Sequence, residues 1–249
     1  VKALNEAQAG NVFQEFRDIN ELPEDSGRRV LTTGGHFGYL KIAEGCDKHC
    51  TYCIIPSLRG RFRSVPEERL LAQAEYMASQ GVKELILVAQ ETTVYGTDLY
   101  GKKTLHILLK KLCQIKGIRW IRVLYCYPEE IYDELIQVMK EEKKICNYLD
   151  LPIQHASDRI LKRMGRRTTR KQLEDIIAKL RREIPDIVLR TSLITGFPGE
   201  TEEDHEELME FVDEMEFDRL GVFTYSPEEG TPAETMEGQV PEEVKEERR

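Results

Sequence analysis

The sequence predicts an α/β fold, an open and incomplete (β/α) barrel of six strand-and-helix units. Short β-rich runs alternate along the chain with amphipathic stretches whose apolar residues recur at helical spacing. The units follow one another at intervals of roughly 30 to 45 residues, as parallel strands joined by helical crossovers do. A closed barrel of this type needs eight units, more than these 249 residues supply. A doubly wound open sheet is the alternative.

Local signals mark each predicted element. Residues 29–33 and 39–43 alternate on either side of Gly34-Gly35, as a hairpin or a bent approach to the first strand would. Pro66 suits the first turn of a helix and Gly81 the position after its end. Thr104, Ser157, Thr168 or Thr169, and Thr201 suit helix N-caps. The predicted strands are residues 39–43, 84–89, 120–125, 148–153, 187–194 and 219–225, and the predicted helices are 66–80, 104–115, 128–140, a short helix after Ser157, 168 or 169 to 183, and 202–215.

Composition and charge limit the classes of function. With 40% hydrophobic and 33% charged residues, the chain suits one globular domain and is neither disordered nor fibrous. The longest purely apolar run, residues 85–89, is far shorter than the ~20 residues that cross a bilayer. No leader opens the chain, so we expect a soluble cytoplasmic protein without a membrane partner. The formal net charge of −9 disfavours a broad duplex-binding surface and suits a basic partner.

The chain is expected to be a fragment of a longer protein. It begins at Val1 without a methionine and ends within a predicted helical segment. We predict that residues 1–28 are a linker from a preceding domain, that 29–226 form the core domain, and that 227–249 begin the connection to a following domain.

Polar, glycine and cysteine motifs directly follow four of the predicted strands. Parallel strands end at the same edge of a sheet, where α/β folds build their sites, so these loops are expected to converge. Glycine and proline in such loops also serve as simple turn formers. The motifs are Glu44-Gly45-Cys46 through Cys53, Gln90-Glu91-Thr92, Gln154-His155-Ala156-Ser157 and Gly196-Phe197-Pro198-Gly199-Glu200.

Three of the six cysteines, Cys46, Cys50 and Cys53, share one loop. Thiolates at these offsets can converge on a soft metal or a cluster. A closed structural zinc site needs four ligands, and the fourth would be His49 or a distant cysteine. Three local cysteines instead leave one iron of a cubane cluster open for a substrate or cofactor, which is the interpretation we favour. The scattered cysteines are expected to be small buried side chains: Cys113, Cys126 and Cys146.

The cysteine spacing, with Tyr52 before the last cysteine, resembles the signature of radical S-adenosylmethionine (radical SAM) enzymes, whose usual fold is a partial barrel. Within them, residues 39–46, 196–201 and 225–227 resemble the methylthiotransferase branch. The string 151–157 is similar to the enzymes that modify an aspartate of small-subunit ribosomal protein twelve, where transfer-RNA-modifying relatives usually carry glutamine-serine-glycine-serine. The resemblance covers most of residues 29–249.

The resemblance implies a [4Fe-4S] cluster held by Cys46, Cys50 and Cys53, whose open iron binds S-adenosylmethionine. An electron from an external donor would cleave the sulfonium, and the 5′-deoxyadenosyl radical would abstract hydrogen from the substrate. The family also carries an amino-terminal domain with a second [4Fe-4S] cluster, which would deliver sulfur, and a carboxy-terminal β-barrel. We expect both to lie outside this chain.

Further contacts with the cofactor are expected on the same rim. Gln90 and Glu91 offer acceptors for its ammonium group. Gln154 and Ser157 would meet the ribose or carboxylate, although Ser157 also suits a helix cap. The other predicted contacts are adenine packing by Tyr52 and Ile54 and close backbone approach at Gly196 and Gly199.

The predicted function is methylthiolation of an aspartate in the small-subunit ribosomal protein. The alternatives are the same chemistry on a transfer-RNA adenosine, and a non-catalytic binding module built on an iron–sulfur or zinc site. His155 is predicted to carry a proton or to orient its neighbours. A basic stretch either touches ribosomal RNA or is an exposed helix face: Lys162, Arg163, Arg166, Arg167, Arg170 and Lys171.

Overall fold

The computed structural model describes residues 2–16, 18–22, 30–32 and 34–249. Its main sheet has six parallel strands that lie side by side in chain order. A doubly wound sheet would reverse its strand order part-way, so this order excludes that alternative and confirms the open barrel. The strands are β1 (Phe37–Lys41), β4 (Glu84–Val88), β5 (Trp120–Val123), β6 (Ile145–Asp150), β7 (Val188–Thr195) and β8 (Arg219–Thr224).

A short antiparallel pair flanks the cysteine loop. β2 (Ala43–Glu44) precedes the loop and pairs with β3 (Arg63–Ser64), which follows it. The helices are α1 (Lys2–Gln8), α2 (Ile55–Arg59), α3 (Glu67–Ser79), α4 (Thr97–Tyr100), α5 (Leu105–Cys113), α6 (Asp133–Glu141), α7 (Asp158–Arg163), α8 (Arg170–Glu183), α9 (Glu202–Met215) and α10 (Glu242–Arg248). No helix within the described ranges is long and apolar enough to cross a membrane.

One face of the sheet packs against the helices to form the core. Along β7, fully buried residues alternate with half-buried ones, as the two-residue period of a strand requires. The buried face contributes Leu85, Leu87 and Leu189 to a cluster with Leu108 of α5 and Leu173 of α8. The sheet is therefore held by apolar contact with the helices on one side.

The opposite face of the sheet mixes apolar side chains with charged ones. It carries Glu84, Arg122 and Arg190, and the Arg122 Nε lies 2.7 Å from Glu84 Oε1. Arg190 donates to Asp150 at 2.6 Å. The barrel interior is thus lined by paired charges.

Two predicted elements are displaced in the structure. β6 begins three residues before the predicted 148–153 and stops at Asp150, because Pro152 has no amide hydrogen with which to continue the ladder. The helix predicted from Pro128 is a 3₁₀ turn, Pro128–Glu130, followed by α6. Ile131 and Tyr132 separate the two because they adopt extended backbone and pack on the core.

The predicted helix caps are confirmed at two sites and wrong at two. Thr169 and Thr201 both form capping boxes, with Gln172 and Asp204 respectively. Ser157 occupies the N-cap position of α7, but its hydroxyl accepts from no amide of that helix and instead donates to Asp204 Oδ1 at 2.7 Å. The Thr104 hydroxyl is directed to the carbonyl of Tyr95.

The chain ends differ in burial. None of the described residues between 2 and 22 is buried. Arg29 and Thr33, which bound the first predicted hairpin arm, lie outside the described residues, and residues 30–32 are not in a strand. Towards the other end, the Lys245 side chain of α10 is buried and donates to the carbonyl of Tyr225 at 2.9 Å. Residues 227–249 thus pack on the carboxyl edge of the sheet.

Candidate active site

The cysteine loop runs between β2 and β3 at the carboxyl edge of the sheet. Cys46 and Cys50 are buried, Cys53 is half-buried, and all three are free thiols. Gly45 has a φ of +77°, and a Cβ there would lie 2.1 Å from the carbonyl oxygen of Arg61. Only glycine allows the chain to enter the loop so close to the returning strand.

The loop is fastened to the end of α7. The Thr51 amide donates to the carbonyl of Met164 at 3.0 Å, and its hydroxyl donates to the carbonyl of Arg163 at 2.8 Å. Gly165 follows, where a Cβ would meet the carbonyl oxygen of His49 at 2.6 Å. Backbone contacts therefore fix the loop against the fourth unit of the barrel.

A cavity of about 260 Å³ opens beside the loop. Cys46 and Cys50 line it together with Glu91, Tyr127 and Arg166. Lys48 and Lys103, also in its wall, both bind the Glu130 carboxylate. The cavity brings thiols, a carboxyl group and a guanidinium to one place.

Burial favours the protonated form of two of the thiols, Cys46 and Cys53. It raises the pKa of Cys46 to about 11 and also raises the pKa of Cys53. Among the residues that the structure describes, no three His, Cys, Asp or Glu side chains surround a single ion position. A cubane cluster places each thiolate on a separate iron, and three free cysteines in one sheltered loop suit that requirement.

Gln90 and Glu91, which directly follow β4, carry unsatisfied acceptors. Glu91 is 1% exposed, and one of its oxygens accepts from the Thr93 amide at 2.8 Å. Its other oxygen and Gln90 Oε1 are buried without a hydrogen-bond partner. Burial raises the pKa of Glu91 to about 7, against hydrogen bonds from Thr93 that lower it. A cationic donor brought into the cysteine cavity would satisfy this carboxylate.

A second cavity of about 400 Å³ holds two more of the predicted residues, Tyr52 and Gln154. Tyr125 and Tyr225 also line it. Gln154 and Tyr125 have φ values of 72° and 60°, a strained left-handed backbone that costs ~1–3 kcal/mol per residue and concentrates at functional sites. The rings of Tyr125 and Tyr127 lie 6.1 Å apart, and each lines one of the two cavities.

The remaining predicted cofactor residues line neither of these cavities. Ser157 is held by Asp204, and Ile54 is the residue before α2. A Cβ on Gly196 would lie 2.3 Å from Lys245 Cγ, and one on Gly199 would lie 2.9 Å from Arg163 Cζ. Side chains of the protein itself lie close to both glycines. Contact between these glycines and a nucleoside stays a prediction.

His155 orients its neighbours. It is fully buried, and its Nδ1 accepts from the amides of Ala156 and Ser157 at 3.0 Å. Its Nε2 lies 3.4 Å from Glu200 Oε2. Burial alone would raise the pKa of Glu200, but His155 outweighs it and lowers the pKa. The structure thus supports the orienting role over the proton carrier.

The basic stretch is largely bound within the protein. Arg163 donates to the carbonyls of Pro198 and Glu237. Arg170 pairs with Glu214 at 2.8 Å and Lys171 with Asp175 at 2.8 Å. Contact of this stretch with ribosomal RNA stays a prediction.

Sequence reasoning missed Tyr127 and Arg166 as site residues. The Arg166 side chain is fully buried, and its guanidinium carbon lies 4.1 Å from the centre of the Tyr127 ring. Tyr127 comes shortly after β5, the third strand of the sheet, at the same edge as the other motifs. This position after a strand was the sequence feature that could have identified Tyr127 as a site residue.

A six-stranded parallel barrel with a three-cysteine loop at its carboxyl edge defines the class of this protein. The radical SAM superfamily model matches residues 40–212, more than half of the chain. The chain belongs to the radical SAM superfamily.

Curated relatives show which members of the superfamily this chain is similar to. The chain is 65% identical over 244 residues to the ribosomal protein uS12 methylthiotransferase RimO of Lachnoclostridium phytofermentans, covering 98% of this chain and 56% of that protein. It is 58% identical over 231 residues to the protein of the same name from Clostridium botulinum (strain Eklund 17B), covering 93% and 51%. The chain spans about half the length of the curated relatives it matches.

Solved structures share the fold. Coproporphyrinogen III oxidase (HemN) from Escherichia coli aligns with a TM-score of 0.63 at 18% identity over 86% of this chain and 50% of that one. The radical S-adenosylmethionine methyltransferase TsrM from Kitasatospora setae aligns with a TM-score of 0.64 at 18% identity, over 80% and 38%. Both support the partial barrel.

Proposed function

We propose that this chain is the catalytic core of an enzyme that methylthiolates an aspartate of ribosomal protein uS12 in the small ribosomal subunit. The observation that carries the proposal is the loop of Cys46, Cys50 and Cys53 beside a cavity with an unsatisfied carboxylate. The names of relatives up to 65% identical supply the substrate.

Different residues of the site would bind the cluster and S-adenosylmethionine. Cys46, Cys50 and Cys53 would hold a [4Fe-4S] cluster with one iron free of protein ligands. When bound, the cluster and S-adenosylmethionine supply the one-electron cleavage that generates a hydrogen-abstracting radical. Glu91 would accept from the ammonium group of the cofactor, because its second oxygen has no hydrogen-bond donor among the described residues.

The second cavity suits the nucleoside. Tyr52 and Tyr125 offer aromatic surface for adenine, and Gln154 offers an amide for the ribose. Gln90 would assist Glu91 through its own unsatisfied oxygen. Ser157, Ile54, Gly196 and Gly199 would act from the surrounding loops.

Other components would come from outside the described residues. We propose that a second [4Fe-4S] cluster in another domain delivers sulfur, that an external donor supplies electrons, and that the protein acts in the cytoplasm. Contact with ribosomal RNA by the basic stretch would fall to Lys162 and Arg167, which are exposed.

The test uses a longer protein that contains this chain and its flanking domains. It is incubated anaerobically with reductant, S-adenosylmethionine and either uS12 or transfer RNA, and the products are analysed by mass spectrometry. We expect one hydrogen of a uS12 aspartate to be replaced by a methylthio group, with 5′-deoxyadenosine released. A methylthioadenosine in RNA beside unmodified uS12 would favour the alternative substrate, and no 5′-deoxyadenosine would favour a binding module.

A further inference from the structure

The Tyr127 hydroxyl lies against one of the three candidate cluster ligands. Its oxygen is 3.4 Å from Cys50 Sγ, within hydrogen-bonding distance for sulfur. Both side chains are buried, with Tyr127 5% and Cys50 8% exposed. Once Cys50 is a thiolate it has no hydrogen, so the phenol can only donate in this contact.

Arg166 stacks on the ring of Tyr127. Its guanidinium carbon stacks 4.1 Å from the ring centre, and its Nη2 donates to the carbonyl of Pro152 at 3.2 Å. Its Nε and Nη1 are buried without a hydrogen-bond partner, and the Glu129 carboxylate lies 3.6 Å from Nη2. A buried guanidinium with unused donors is costly unless further negative charge comes beside it.

Further negative charge would come from a cluster bound in the same cavity. Arg166, Tyr127, Cys46 and Cys50 all line it. A [4Fe-4S] cluster with three thiolates carries net negative charge, which increases by one on reduction. Positive charge and hydrogen bonds to sulfur stabilise the reduced form more than the oxidised form.

We propose that Tyr127 and Arg166 are positioning residues that raise the reduction potential of the cluster, Tyr127 by donating a hydrogen bond to the Cys50 thiolate and Arg166 by fixing that ring and placing positive charge in the cavity. This inference rests on the proposed function, since it requires the cluster. It assigns a buried role to an arginine within an otherwise surface-facing basic stretch.

The test is a redox titration of this chain after anaerobic cluster reconstitution, followed by electron paramagnetic resonance. Tyr127→Phe keeps the ring and removes the hydroxyl. We expect the ratio of reduced to oxidised cluster at a fixed potential to fall about tenfold, a shift of ~59 mV to lower potential for one electron. Arg166→Gln should also lower the reduction potential of the cluster. Arg166→Lys, which keeps the positive charge, should lower the potential less than Arg166→Gln does.

Tyr148→Phe is the matched control. Tyr148 also stacks under an arginine, with Arg122 4.8 Å from its ring centre, but it does not line the cysteine cavity. The reduction potential of the cluster in Tyr148→Phe should equal that in the unmodified chain. Equal potentials for Tyr127→Phe and the unmodified chain, or an equal fall in Tyr148→Phe, would overturn the inference alone, whereas a chain that takes up no cluster would overturn the proposed function as well.

Discussion

Four buried polar atoms without a hydrogen-bond partner among the described residues belong to side chains at the proposed cofactor site. Gln90 Oε1, Glu91 Oε2 and two nitrogens of Arg166 are all in this state. Each such atom costs ~1–3 kcal/mol when no partner is present. A fold that keeps several of them at one rim gains stability when a polar ligand fills the site, so these atoms identify the groups that meet it.

Glu91 is the residue whose substitution should most specifically weaken cofactor binding. Glu91→Gln keeps the size of the side chain but removes the charge that faces the ammonium group. We expect S-adenosylmethionine to bind the reconstituted chain roughly tenfold more weakly, because a charge-assisted hydrogen bond is lost. A titration of the cluster signal with the cofactor measures the affinity. Glu68→Gln, at an exposed position of α3, is the control, and unchanged affinity in Glu91→Gln would contradict the assignment.

Asp204 should govern part of the acid sensitivity of the fold. Burial would raise its pKa, but hydrogen bonds from Arg159 and Thr201 outweigh burial and lower it. A lowered pKa stabilises the native state above the unfolded pKa of ~3.9, and this stability is lost as the pH falls further. Asp204→Asn should therefore lower the free energy of unfolding by ~2 kcal/mol at pH 7, with a smaller difference below about pH 4.

Chemical denaturation at several pH values checks this prediction. Asp213→Asn, an exposed acid on the same helix, should behave like the unmodified chain. A loss in Asp204→Asn that is independent of pH would show that the charge is not its cause.

At the scale of elements, sequence signals were most reliable where they are local. The capping boxes at Thr169 and Thr201 involve residues three apart, so they are visible in the sequence. The Ser157 hydroxyl donates to Asp204, which is 47 residues away, and no local sequence pattern reveals this contact. Tyr127 and Arg166 were missed for the same reason, since 39 positions separate them along the chain.

α10 should stabilise the rim through two ion pairs of Arg248, with Glu200 and with Glu202. Arg248 Nη1 lies 2.9 Å from Glu200 Oε1, and both side chains are buried. Arg248→Met would leave the Glu200 carboxylate without this cation and should lower the free energy of unfolding by ~3 kcal/mol. Arg249→Met is the neighbouring control, because Arg249 makes an exposed pair with Glu246, worth ~0.5 kcal/mol or less. Equal stabilities of the two variants in thermal or urea unfolding would refute a structural role for α10.

At the scale of the whole molecule, strand order decides where the chemistry lies. Six parallel strands in sequential order carry their following loops to one edge, so motifs far apart in sequence meet there. Periodicity and loop composition predicted this arrangement. They did not predict that Cys46 and Glu91 share one cavity while Tyr52 and Gln154 share another, because that division depends on side-chain directions across several strands.

Anaerobic reconstitution of this chain with iron and sulfide tests the three-thiolate site most directly. We predict about four irons and four sulfides per chain, with an electron paramagnetic resonance signal that changes when S-adenosylmethionine is added. Cys50→Ser should bind less iron, whereas Cys146→Ser, outside the loop, should match the unmodified chain. One zinc ion per chain, or a cluster whose signal does not change when S-adenosylmethionine is added, would contradict the three-thiolate site.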